Sequence, residues 1–194
     1  MLGQLPKSLT VNNKKHLIRT DFRDIFRVIS AFNDPDLLDR EKVYLCLKNI
    51  YVNFQDIPTE DYEAAYKAAI QFIEGDFPKD DRPHPKVVNW EKDEPLIFPE
   101  INKIAGREVR EMKHLHWWTF LGYFQSIDRD GLWGMVMSIR HKKATGKNLE
   151  SYERDFYSAN QTMCSIENES SIQTPEDCLA EMYRELLKEG AING

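Results

Sequence analysis

The stretch His114-Leu115-His116-Trp117-Trp118-Thr119-Phe120-Leu121-Gly122-Tyr123-Phe124 decides how this chain is read. Two adjacent tryptophans among His, Phe and Tyr bury far more surface than a loop requires, so the segment marks either the centre of a core or the seat of a partner. Its pattern predicts a helix over residues 110–126 with aromatic side chains on all sides. Neighbouring helical positions are separated by about 100°, so Trp117 and Trp118 should occupy different faces, and at most one can meet a partner. Trp117, Trp118 and Tyr123 are therefore candidate partner-binding residues, while the core is the expected place for most of the segment.

Upstream of this block, residues 9–11 and 15–18 read as two short strands about Asn12-Asn13, because Asn tolerates the positive backbone angles of a tight hairpin. Thr20 is placed to cap a helix carrying Phe22, Ile25, Phe26 and Ile29, which Asn33-Asp34-Pro35 ends. A second helix should begin near Asp39. A third is bounded by Thr59 as cap and Gly75 as stop. The four prolines Pro78, Pro83, Pro85 and Pro95 predict an extended connector over residues 76–95, pinned by Val87, Val88 and Trp90. A short helix up to Ala105-Gly106 follows, with Pro99 setting its start or bending it.

Downstream, Gly134 leaves the short apolar piece over residues 132–139 ambiguous. A helical stripe restarts at Leu149, Tyr152, Glu153, Phe156 and Tyr157. Thr174, Pro175 and Asp177 open a final amphipathic helix that Gly190 closes. Its apolar face carries Leu179, Met182, Tyr183, Leu186 and Leu187, which must dock on its own domain or on a neighbouring copy, because an isolated helix of this length is marginal in water. Leu179, Met182, Tyr183 and Leu186 accordingly join the candidate binding residues. The expected fold is mainly α: a single helical domain over residues 1–163 with a small N-terminal β-hairpin, then a polar linker and C-terminal amphipathic helix over residues 164–194.

The formal charge of −6 argues against a general affinity for nucleic acid, which depends on cations replacing counterions on phosphate. Within that average, residues 138–147 hold Arg140, Lys142, Lys143 and Lys147 and no carboxylate, whereas residues 149–194 hold ten carboxylates against three Lys or Arg. Arg140, Lys142 and Lys143 are thus candidate contacts for an anionic partner. They carry the alternative reading, a nucleic-acid-associated protein using residues 140–147. The three cysteines Cys46, Cys164 and Cys178 fit neither a disulfide framework nor a zinc site, and are expected to be reduced thiols in a cytoplasmic protein. No apolar run approaches membrane-spanning length, and the first residues lack the blocks of a signal peptide.

No motif of catalysis or cofactor binding stands out. His114 and His116 point to nearly opposite sides if helical and so could not share a metal. Ala144-Thr145-Gly146-Lys147-Asn148 lacks the leading Gly and the final Ser or Thr of a phosphate loop. Asp128-Arg129-Asp130-Gly131 lacks the closing Glu of a calcium loop, where Ile139 stands. No Ser lies in a nucleophile elbow. The expectation is a protein that is not an enzyme and takes no cofactor or metal.

Leu5-Pro6 before the hairpin, Thr20-Asp21-Phe22-Arg23-Asp24, Ala31-Phe32-Asn33-Asp34-Pro35, His116-Trp117-Trp118-Thr119-Phe120, Ile139-Arg140 and the run from Leu149 through Glu153 to Asn160 resemble the phage gene-product-15 family. These are small proteins of tailed phages and prophages of Gram-positive bacteria. The likeness runs in order over residues 5–163 and leaves the last thirty untouched. It implies a tail assembly protein, because genes of this family typically lie in the tail module, close before the tape-measure gene. The implied role is a chaperone that binds the tape-measure protein in the host cytoplasm while the tail forms. Tape-measure or other tail proteins are the partners it implies, and the C-terminal helix adds a further copy of the chain as a partner. The resemblance brings no catalytic or metal residues.

Overall fold

The computed structural model describes residues 3–76 and 85–165. Among these the chain forms eight α-helices and one two-stranded antiparallel hairpin, so the protein is mainly α with a small N-terminal hairpin, as the sequence predicts. The chain divides into two compact units. Of the described residues, 3–76 and His114–Trp118 belong to the first, 85–113 and 119–165 to the second.

In the first unit, β1 (Ser8–Val11) and β2 (Lys14–Leu17) pair with Ser8 opposite Leu17 and Val11 opposite Lys14. Asn12 and Asn13 turn the chain with φ of 44° and 66°, the left-handed values that a two-residue hairpin loop needs. Helix α1 (Phe22–Asn33) is capped by Asp21, whose carboxylate accepts from the N–H of Arg23, rather than by the expected Thr20. Helix α2 (Asp39–Ile50) starts where Glu41 accepts from the N–H of Leu38. A short 3-10 turn, Thr59–Asp61, leads into α3 (Tyr62–Ile73). Ile25 and Val28 of α1, Leu47 and Ile50 of α2, and Ala65 and Ala69 of α3 are fully buried. Burial also pushes the Cys46 thiol far above its usual range, which makes it inert.

In the second unit, α4 (Glu94–Ala105) runs through Pro99 and ends at Gly106, whose φ of 69° suits a left-handed cap. It is longer than the sequence predicts. Pro99 lies within its first two turns, where the missing donor affects only the carbonyl of Pro95, four residues earlier. Helix α5 (Trp117–Gln125) contributes its residues from Thr119 onward to this unit. Helices α6 (Leu132–Ala144), α7 (Ser151–Ala159) and α8 (Gln161–Cys164) complete it.

Two expectations are corrected by neighbours that the local pattern does not contain. The helix predicted over residues 110–126 begins only at Trp117, preceded by a 3-10 turn at Val109–Glu111. Residues 114–116 instead run alongside the start of α1: Phe22 N–H donates to Leu115 C=O at 3.0 Å, and Trp117 N–H to Thr20 C=O at 2.7 Å. The Asp21 carboxylate accepts from Leu115 N–H at 2.9 Å. This pairing satisfies backbone groups that a helix would have used. The ambiguity at Gly134 resolves as helix, and a Cβ there would lie 1.9 Å from the Arg129 carbonyl oxygen. Gly134 is therefore a packing requirement rather than a helix breaker. The predicted C-terminal helix, with Leu179, Met182, Tyr183 and Leu186, lies outside the described residues, as do residues 77–84 of the connector.

Candidate functional site

The two tryptophans do the same job by different faces. The last carbonyls of helix α3 lie beyond its i to i+4 ladder, and that of Phe72 accepts from the Gly75 N–H at 3.1 Å with room for a second donor. Trp117 Nε1 donates to the carbonyl of Ile73 at 2.7 Å, and Trp118 Nε1 to that of Phe72 at 2.9 Å. The pair thus clasps the end of α3. Trp117 is 2% exposed and meets Phe26 edge to face at 5.8 Å. Trp118 is half-buried and stacks on Phe72, with ring centroids 6.0 Å apart.

The histidines fix the approach to the clasp. His114 Nε2 shares a hydrogen bond with the Thr20 hydroxyl. His116 Nδ1 accepts from the N–H of Trp118, so its proton sits on Nε2, which faces the Pro6 carbonyl at 2.9 Å. Burial lowers the pKa of His116 below its ordinary value, with His114 and Lys7 adding to the effect and the Pro6 bond opposing it. Each ring serves as a structural tie, and among the described residues no cluster of His, Cys, Asp or Glu could hold a metal ion.

Beside the clasp lies an open pocket of about 300 Å³, lined by Pro6, Leu9, Thr10, Ala68, Gln71, Phe72, Asp76 and Trp118. The sequence flagged Trp118 alone of these. The others come together because α3 packs along β1, which no local pattern announces. Further apolar side chains of this unit face outward: Leu17 is 61% exposed and Val52 41%. They are neighbours in the backbone ladder, since Val52 N–H donates to Leu17 C=O at 3.0 Å.

In the second unit the aromatic run continues inward. Phe120 is fully buried against Phe98, and Phe124 sits between Trp90 and Trp133, at 4.7 Å and 6.4 Å. Tyr123 is half-buried. The connector is pinned by Trp90, as the sequence predicts.

The basic stretch is a different object from the one its charge implies. Arg140 is 3% exposed, and its guanidinium grips both carboxylate oxygens of Asp93, at 2.6 and 2.7 Å. The same group donates to the carbonyls of Val87 and Met163. This burial removes Arg140 from the candidate partner contacts: it ties the connector, α6 and α8 together. Lys142 is held by both oxygens of Glu153, and Lys143 lies over the ring of Tyr157 and donates to its hydroxyl. Burial alone would raise the Glu153 carboxyl, but Lys142, the N–H of Glu150 and the hydroxyl of Ser138 together hold it below its usual range. Three of the four cations expected to meet phosphate are thus engaged within the unit, which weakens the nucleic-acid alternative.

Hairpin, aromatic clasp and buried Arg–Asp pair define a mainly helical protein with, among the described residues, an open pocket beside the clasp and exposed apolar side chains. The chain belongs to the family described as Bacteriophage Gp15 protein, whose family model matches residues 1–165. It is a bacteriophage protein. No curated protein and no solved structure matches it. Among the described residues no helix is long and apolar enough to cross a membrane.

Proposed function

We propose that this protein is a phage tail assembly chaperone that binds the tape-measure protein during tail morphogenesis, in the cytoplasm of the host. The observation that carries it is the family match over residues 1–165, because the family's gene position implies a partner encoded in the tail module. The surface is compatible with the role. A tape measure is expected to be long and largely helical with apolar stripes, and its chaperone should pair exposed apolar side chains with a soluble, acidic body. Leu17, Val52, Tyr44 and Tyr152 are exposed apolar side chains, and the chain carries a formal charge of −6. Action is by binding rather than catalysis. Co-expression tests this: the soluble yield of the tape-measure protein should rise when this chain is present. Unchanged yield and no co-purification, with both proteins expressed, would count against it.

A further inference from the structure

Strand β1 has one paired side and one open side. Ile18 N–H donates to the carbonyl of Lys7, and the Leu17 carbonyl points the opposite way, toward Val52. Backbone groups alternate in direction along a strand, so Leu9 and Val11 pair with His16 and Lys14 of β2, while the N–H and C=O of Ser8 and Thr10 point outward. Among the described residues the sheet ends at β1, and no backbone partner meets those outward groups. Such an edge is a template for another strand.

The pocket lies on this outer side, since no residue of β2 lines it. Leu9, Phe72 and Trp118 supply its apolar wall, and Ala68 leaves room beside the strand. Asp76 lines the pocket and accepts from the Gln71 amide, and Asp61 accepts from Asn12 at the hairpin turn. At about 300 Å³ the pocket suits a large side chain rather than a helix roughly 10–12 Å across.

We infer that the open edge of β1 and its pocket dock an extended peptide segment of a partner by strand addition. The segment places one large apolar side chain against Phe72 and Trp118 and basic side chains toward Asp61 and Asp76. The inference goes beyond tape-measure binding, since it holds whichever protein supplies the segment, and its test uses no tape-measure sequence.

The probe is a synthetic peptide of alternating threonine and valine around a central phenylalanine, with a lysine at each end. It is titrated into the isotope-labelled full chain and followed by nuclear magnetic resonance. The amides of Ser8 and Thr10 and the indole of Trp118 should shift, and exchange of the two amides should slow. Thr10→Pro removes an outward N–H and leaves the bonds to β2 in place, so it should weaken binding about tenfold. Ala68→Trp should do so by filling the pocket, and N-methylation of the peptide on the amides facing β1 should abolish binding. Absence of binding, or binding that ignores both variants and the methylation, overturns the proposal. So does a dimer that Thr10→Pro dissociates, which assigns the edge to a second copy. An affinity that rises when the chain is cut after Ser165 would assign it to residues 166–194 and overturn the proposal equally.

Discussion

Asp93 and Arg140 form a pair whose half is worse than its absence. Truncating Asp93 to Ala leaves a guanidinium buried with two carbonyls and no counter-charge, and should cost about 3–5 kcal/mol in urea unfolding. Adding Arg140→Met to that variant should restore much of the loss. If the single and double variants unfold alike, the pair does not act as described. His116 makes a second prediction. Its pKa is lowered in the folded chain, so below the ordinary value of 6.5 the unfolded state takes up a proton that the folded state resists. Stability should fall as pH drops from 6.5 toward the folded value and then level off. His116→Asn should remove that part of the pH dependence, and an unaltered profile would contradict the assignment. Neither role was legible in the sequence. Arg140 sits in a run of cations, and its carboxylate lies forty-seven residues away, among other charges.

The hairpin turn, whose determinants are local, was read correctly, whereas the cap of α1 was placed one residue early and elements with distant determinants were misread. Asn12-Asn13 announces the hairpin because two consecutive residues must take positive φ. Asn13→Val should therefore destabilise the first unit by about 1–2 kcal/mol, measured by thermal unfolding, and a neutral effect would refute the turn. Gly134 illustrates the opposite case. The residue lowers helix propensity, yet α6 needs it because the Arg129 backbone fills the space of a Cβ. Gly134→Ala should thus destabilise by about 1–3 kcal/mol or more, the reverse of the gain expected in an open helix interior. The start of α5 was misplaced for the same physical reason, since residues 114–116 bond to the first turn of α1, far away in sequence. The aromatic block was recognised as decisive, but its use as a cap on α3 depends on a packing partner forty-odd residues upstream.

For the whole molecule, composition and motif spacing led to a helical protein without a recognisable catalytic set, and family membership supplies the setting in phage biology. The candidate site was legible in part. Trp118 was named, whereas the edge of β1 and the pocket residues of α3 were not, because a free strand edge is a property of neighbours rather than of sequence. Binding of the tape-measure protein can be measured in solution. The purified 194-residue chain is mixed with a soluble segment of the tape-measure protein from the same phage and followed by sedimentation velocity. A faster-sedimenting complex of fixed stoichiometry should form and grow with concentration through the micromolar range. Two independent boundaries at every concentration, with both proteins folded, would contradict it.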